Sequence, residues 1–218
     1  MTTERIAFLH TGAVVIGPVA ELTSRILPGV ESVNYLDDKI VKDLGDAERA
    51  SSVEGRLEDL VRAARDAQAS VVMLTCSSIS EFAAPLSERL GIPVLRIDEA
   101  MADRAVAQGS RIAVIATLST TLAPTTRLIA ERAAVAGVAP SIVSEVVEGA
   151  FAAVSGGDRG EHDRLVGAAI ERLAATADVV VLAQASMASA ADAVSVGVPV
   201  LTSLEPGIER LRDTLAAA

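Results

Sequence analysis

Tryptophan is absent, and the chain of 218 residues carries one cysteine, one tyrosine, three phenylalanines and two histidines. A single cysteine excludes an internal disulfide framework and a cysteine-rich metal site. Two histidines, with no His-x-x-x-His or Cys-x-x-Cys spacing, leave no protein-built zinc site. With aromatics at 2% there is no stacking platform for single-stranded nucleic acid. The formal charge of -10, unrelieved by any basic run, opposes binding to phosphate backbones, so no nucleic-acid partner is expected. No apolar run approaches the ~20 residues needed to cross a bilayer. The start, Met1-Thr2-Thr3-Glu4-Arg5, lacks the regions of a signal peptide, and the expectation is a cytoplasmic protein without a membrane partner. A P-loop, a Gly-x-Gly-x-x-Gly turn and a Gly-x-Ser-x-Gly nucleophile elbow are also missing.

What the chain has is aliphatic residue. Half of it is hydrophobic, mostly Ala, Val, Ile and Leu, a composition suited to parallel strands buried under Ala-rich helices. Arg5 to Leu9 reads as a strand, followed by the polar His10-Thr11-Gly12 and a helix begun near Pro18 and running through Ile26. Val30 to Tyr35 reads as a second strand. Arg56 to Gln68 has helical apolar spacing at Leu57, Leu60, Val61 and Ala64. Val71 to Leu74 is the next strand, Glu81 to Leu90 the next helix, and Gly91-Ile92-Pro93-Val94-Leu95 a helix stop and another strand.

The pattern then repeats. Arg111-Ile112-Ala113-Val114-Ile115-Ala116-Thr117 matches Arg5-Ile6-Ala7-Phe8-Leu9-His10-Thr11 at an offset of 111 − 5 = 106. Leu165 matches Leu57 and Gln184 matches Cys76 at 184 − 76 = 108, and Gly197-Val198-Pro199-Val200-Leu201 matches Gly91 to Leu95 at 197 − 91 = 106. Such a long period marks a duplicated domain, not a solenoid. The expected class is α/β: two pseudo-twofold-related halves, each a parallel sheet flanked by helices, with the active site in the cleft between them. The first half is assigned residues 1–98 plus 206–218, and the second 99–205. Sites in such sheets lie beyond the carboxyl ends of the strands, which puts His10-Thr11, Thr75 to Ser78, Thr117 to Thr121 and Ala183 to Ser186 on the walls.

Cys76 is the sharpest candidate for chemistry. A cysteine in an apolar strand can be a small buried hydrophobe. This one stands where a strand ends and a helix begins, a setting that favours a thiolate, among the polar Thr75, Ser77 and Ser78. One of Ser77, Ser78 or Ser80 is expected to cap the following helix. Thr117, Ser119, Thr120 and Thr121 either fix a carboxylate or over-supply a helix cap. His10 is either a proton donor or a structural histidine. His162 reads as a surface or cap residue. Gln184, with Ser186 beside it, can donate and accept hydrogen bonds but cannot carry a proton in and out at neutral pH.

In this duplicated frame the chain resembles the aspartate/glutamate/hydantoin racemase superfamily. The likeness rests on the strand-end Thr75-Cys76-Ser77-Ser78, the threonine loop Thr117 to Thr121, and Gly91 to Asp98, which is like the segment closing that family's first half. The resemblance implies chemistry without a cofactor, in which two thiols, one per half, flank the carbon next to a carboxylate and exchange its proton. Here the second thiol is replaced by Gln184. The superfamily also looks to include a single-thiol arylmalonate decarboxylase, whose thiol belongs to the opposite half. The implied function is a cofactor-independent isomerase acting next to the carboxylate of a small molecule through Cys76. Gln184 would position the reacting centre, and His10, Thr11, Thr75, Ser77, Ser78, Thr117, Thr120, Thr121 and Ser186 would bind the substrate. Two alternatives stay open: a one-thiol lyase or decarboxylase, and a non-catalytic binder of a small anionic ligand. A homodimer is an expectation of the resemblance alone.

Overall fold

The computed structural model describes residues 4–217. They divide into two compact units, one running up to Ile97 and resuming at Leu204, the other Asp98–Ser203.

The first unit contains β1 (Arg5–His10), α1 (Ile16–Ile26), β2 (Glu31–Leu36), α2 (Ile40–Leu44), α3 (Ala50–Asp66), β3 (Val71–Leu74), α4 (Ala83–Leu90) and β4 (Val94–Arg96). The second contains α5 (Glu99–Gln108), β5 (Arg111–Ala116), α6 (Ser119–Ala136), β6 (Ser141–Val146), α7 (Ala150–Ser155), α8 (Arg159–Ala174), β7 (Val179–Leu182), α9 (Ala188–Ala193) and β8 (Val200–Leu201). The closing helix α10 (Leu204–Ala216) packs on α1 in the first unit. Each unit is a four-stranded parallel sheet, ordered β2-β1-β3-β4 in one and β6-β5-β7-β8 in the other, with helices flanking it. The α/β class is thus as expected.

The central strands are unbroken aliphatic runs because both their faces are covered. In the second unit Ala113, Ile115, Val180 and Leu182 meet Val166 and Ile170 of α8. The alternate residues Ile112, Val114, Val179 and Val181 meet Met101 of α5 and Leu128 and Ile129 of α6. In the first, Ala7, Leu9, Val72 and Leu74 meet Leu57 and Val61 of α3 and Leu86 of α4.

The repeat seen in the sequence is a repeat of strand register. Ile6 pairs with Val71 as Ile112 pairs with Val179, and Val72 pairs with Val94 as Val180 pairs with Val200. Gly91 ends α4 in the left-handed region at φ 65°, the conformation that its place after a helix anticipates. Among the described residues no helix is long and apolar enough to cross a membrane.

Three elements differ from the reading of the sequence. α3 begins at Ala50 rather than Arg56, with Val53 as its first buried residue. The short helices α2 and α7, of five and six residues, follow β2 and β6 where no periodic signal stands out. His162 is not a surface or cap residue. Asp158 caps α8 by accepting from the Glu161 N–H at 2.9 Å, so His162 falls inside the helix on its inner face and is 0% exposed.

Candidate active site

β3 stops at Leu74, and Cys76 follows in extended conformation (φ −132°, ψ 125°) immediately before a 3-10 turn over Ser77–Phe82 that leads into α4. The thiol residue is half-buried, packed on one side against the core of the first unit. Its carbonyl oxygen accepts from the Ile79 N–H at 3.1 Å and from the Ser80 hydroxyl at 3.3 Å. The residues at the N-cap positions, Cys76 before the 3-10 turn and Phe82 before α4, form no side-chain cap, and the Ser80 hydroxyl donates to the Cys76 carbonyl. Ser77 and Ser78 lie buried in the same turn.

Behind the thiol is a polar chain that runs from the buried His10 and Thr75 to the exposed Asn34. Parallel pairing sets Phe8 opposite both Asn34 and Met73, and Leu9 opposite Leu74. Side chains alternate across a strand, so Asn34, His10 and Thr75 share the face that carries Phe8. His10 Nδ1 lies 2.8 Å from Thr75 Oγ1, and His10 Nε2 lies 2.8 Å from Asn34 Oδ1. The Thr75 N–H donates to the Leu9 carbonyl at 3.0 Å, and the Thr75 hydroxyl lies 2.9 Å from the same oxygen. Burial pushes the His10 pKa below its ordinary value, and the Asn34 contact only partly opposes this. In the neutral ring Nε2–H donates to Asn34 and Nδ1 accepts the Thr75 hydroxyl proton, leaving Leu9 with the backbone donor. Both ring nitrogens are therefore occupied from within the protein. Thr11, buried, follows His10 directly.

In the second unit Gln184 stands after β7 as Cys76 stands after β3, with nearly the same backbone (φ −128°, ψ 138°) and a 3-10 turn, Ala185–Met187, behind it. Thr117 holds its side chain: the Thr117 N–H and hydroxyl donate to Gln184 Oε1 at 2.6 and 2.9 Å. α6 opens at Ser119 after an extended Leu118, so Ser119, Thr120 and Thr121 form its first turn. Thr121 is buried, and the Thr120 hydroxyl is buried with no hydrogen-bond partner among the described residues. Ser186 is half-buried, and its carbonyl accepts from Arg159 at 2.8 Å. Asp163 adds a second tie to this segment, accepting from the Ser189 hydroxyl at 2.9 Å while it meets His162 Nδ1 at 2.7 Å.

His10 with Thr75, and Thr117 with Gln184, are thus brought into direct contact. Asn34 was not singled out in the sequence. It sits on an edge strand, and only its register opposite Phe8 points it at His10. Among the described residues no three His, Cys, Asp or Glu side chains converge as a metal site.

A duplicated α/β frame with a thiol at one strand end and a threonine turn in the other half defines a recognisable class. The family model for Asp/Glu/hydantoin racemase matches residues 19–211, and the chain belongs to that family. A glutamate racemase isoform from Bacillus anthracis superposes with a TM-score of 0.77 at 16% identity, covering 100% of this chain and 83% of its own. Allantoin racemase from Klebsiella pneumoniae gives 0.72 at 16% identity, with 99% of this chain and 89% of that one covered. Arylmalonate decarboxylase gives 0.59 at 19% identity, covering 97% and 91%. At these identities the likeness is one of fold. Comparison with curated protein sequences gave no significant match.

Proposed function

We propose that the chain is a cofactor-independent isomerase of the racemase type, acting at the carbon next to the carboxylate of a small molecule. The observation that carries this reading is the half-exposed Cys76 just beyond the carboxyl end of β3. That is where open parallel sheets place their ligands. Cys76 serves as the acid/base that moves the proton on the carbon next to the carboxylate. Abstraction there builds negative charge on the carboxylate, which preorganised donors must stabilise. Thr11, Ser77 and Ser78 supply them beside the thiol, and Thr117, Thr120, Thr121 and Ser186 form the corresponding set in the second unit.

One observation favours a second reading, a lyase or decarboxylase that needs a single protonation. Gln184 takes the position equivalent to Cys76, and Thr117 holds its carbonyl oxygen. An amide cannot return a proton on the opposite face.

A substrate screen in deuterated water, run on wild type and Cys76→Ser, tests both readings. Exchange at the carbon next to the carboxylate with inversion supports the isomerase. Exchange into one enantiomer only supports a one-base site, and loss of carbon dioxide supports the lyase. Equal rates for the two proteins on every substrate turned over would remove Cys76 from the chemistry. Binding of small carboxylates without turnover would make the protein a non-catalytic binder.

A further inference from the structure

His10 and Thr75 are not required by the sheet they sit in. The second unit builds the same four strands in the same register, and there His10 corresponds to Ala116, Thr75 to Ala183 and Asn34 to Ser144. Ala116 and Ala183 are fully packed, 0% and 2% exposed, so an aliphatic pair closes this corner of the fold. Burying an imidazole and a hydroxyl in their place costs desolvation, and the cost is tolerated only because each finds a partner. The polar version occurs in the unit that carries the thiol, and the apolar version in the unit that carries Gln184.

We infer that the Asn34–His10–Thr75 chain, whose His10 and Thr75 are buried, is a positioning device for Cys76. Thr75 is held two ways: its N–H donates to the Leu9 carbonyl at 3.0 Å, and its hydroxyl donates to His10 Nδ1 at 2.8 Å. The residue so held is covalently next to Cys76, and it is the last fixed point before the 3-10 turn. Asn34 secures the far side of the ring at 2.8 Å, so the imidazole cannot rotate away from Thr75 without losing that contact. With both ring nitrogens engaged inside the unit, His10 acts on the thiol through Thr75, as a positioning residue and not as a ligand for substrate. Asn34 joins the set as a residue with no other evident task on its edge strand.

The inference rests on the reading of Cys76 as the reactive thiol, and its test needs no substrate. Cys76 is the only thiol in the chain, so its alkylation by iodoacetamide and by iodoacetate is read directly by mass spectrometry on the full-length protein. Thr75→Val keeps the side-chain shape and removes the hydroxyl. It should slow alkylation by both reagents about tenfold, the order of one orienting hydrogen bond, and leave the ratio between the reagents unchanged. Thr75→Ser should restore the wild-type rate to within about twofold, since it keeps the hydroxyl. The double variant H10A/T75A copies the alanine pair of the second unit, so it should fold, as a thermal melt would show, and alkylate as slowly as Thr75→Val. Wild-type or faster alkylation in folded Thr75→Val and H10A/T75A overturns the inference. So does a loss confined to iodoacetate, which would make His10 and Thr75 carboxylate contacts. Turnover that survives Cys76→Ser would instead remove the functional reading beneath it, a separate result.

Discussion

Thr117 donates twice to a single atom of Gln184: its backbone N–H and its hydroxyl reach Oε1 at 2.6 and 2.9 Å. Both lone pairs of the carbonyl oxygen are taken, which turns the amide so that its NH2 is the end left for other work. Among the described residues that NH2 has no hydrogen-bond acceptor. Gln184 is therefore a fixed donor at the position that mirrors Cys76 in the second unit.

A thiol at this position should change the chemistry. On any substrate whose α-carbon exchanges deuterium with the wild type, Gln184→Cys should raise the rate of inversion by about 10²-fold, the low end of what a positioned acid or base contributes. Chiral chromatography of the products, with a Gln184→Cys/Cys76→Ser double variant as control, measures it. An inversion rate unmoved in the single variant would mean that position 184 does not face the reacting carbon.

His10 predicts a dependence of stability on pH. Burial holds its pKa below the ordinary 6.5, so over the window beneath 6.5 the unfolded chain takes up a proton that the folded chain refuses. Stability contributed by the neutral ring is thus full above about 6.5 and is lost as pH falls through the lowered folded value. Urea midpoints between pH 7.5 and 5 should fall more steeply for wild type than for His10→Asn, which has nothing to protonate at this position. Parallel curves would show that the ring titrates as it does in water.

Two glycines in helices should respond in opposite directions to alanine. A Cβ on Gly207 of α10 would overlap the Ile97 carbonyl oxygen and come within 2.6 Å of Ile97 Cδ1, and Ile97 is 1% exposed. Nothing lies within 4 Å of a Cβ on Gly55 of α3. Gly207→Ala should cost roughly 1–3 kcal/mol through overpacking against backbone. Gly55→Ala should add up to about 1 kcal/mol by raising helix propensity. Equilibrium urea unfolding of both variants checks the pair, and the result depends on the sign difference between them.

The frame was legible in the sequence because its central strands are largely apolar on both faces, and because the strand spacing from Ile6 to Val71 (71 − 6 = 65) returns from Ile112 to Val179 with two residues more (179 − 112 = 67). Gly91 and Gly197 punctuated it further. The site was legible as separate residues, not as contacts. His10 and Thr75 both stood out, yet their bond follows from strand order and face parity, which bring together residues 65 apart in the chain. Asn34 lay on an edge strand of mixed polarity, where an exposed amide gives no signal. His162 was misplaced because its helix starts earlier than the apolar period suggests, at an aspartate cap three residues before Glu161.

Asp178, just before β7, offers the sharpest electrostatic test. It accepts from Arg111 Nε at 3.0 Å, from a second Arg111 guanidinium nitrogen at 2.6 Å and from the Arg111 N–H at 2.9 Å. The Ser110 N–H and hydroxyl add two more donors, each at 3.1 Å. The Arg111 side chain and then its backbone donor pull the Asp178 pKa down to about 2 from an ordinary 3.8. Because the folded value is the lower one, the stabilisation is complete above about 3.8 and is lost as pH falls through about 2. Asp178→Asn should lower the melting temperature at pH 7, and the gap to wild type should narrow on acidification only below about pH 4. The side chain is partly exposed, so added salt should shrink the charge contribution while leaving the five-donor geometry in place. A gap that stays constant from pH 7 to pH 2 would mean that the hydrogen bonds alone, and not the charge, hold this corner of the second sheet.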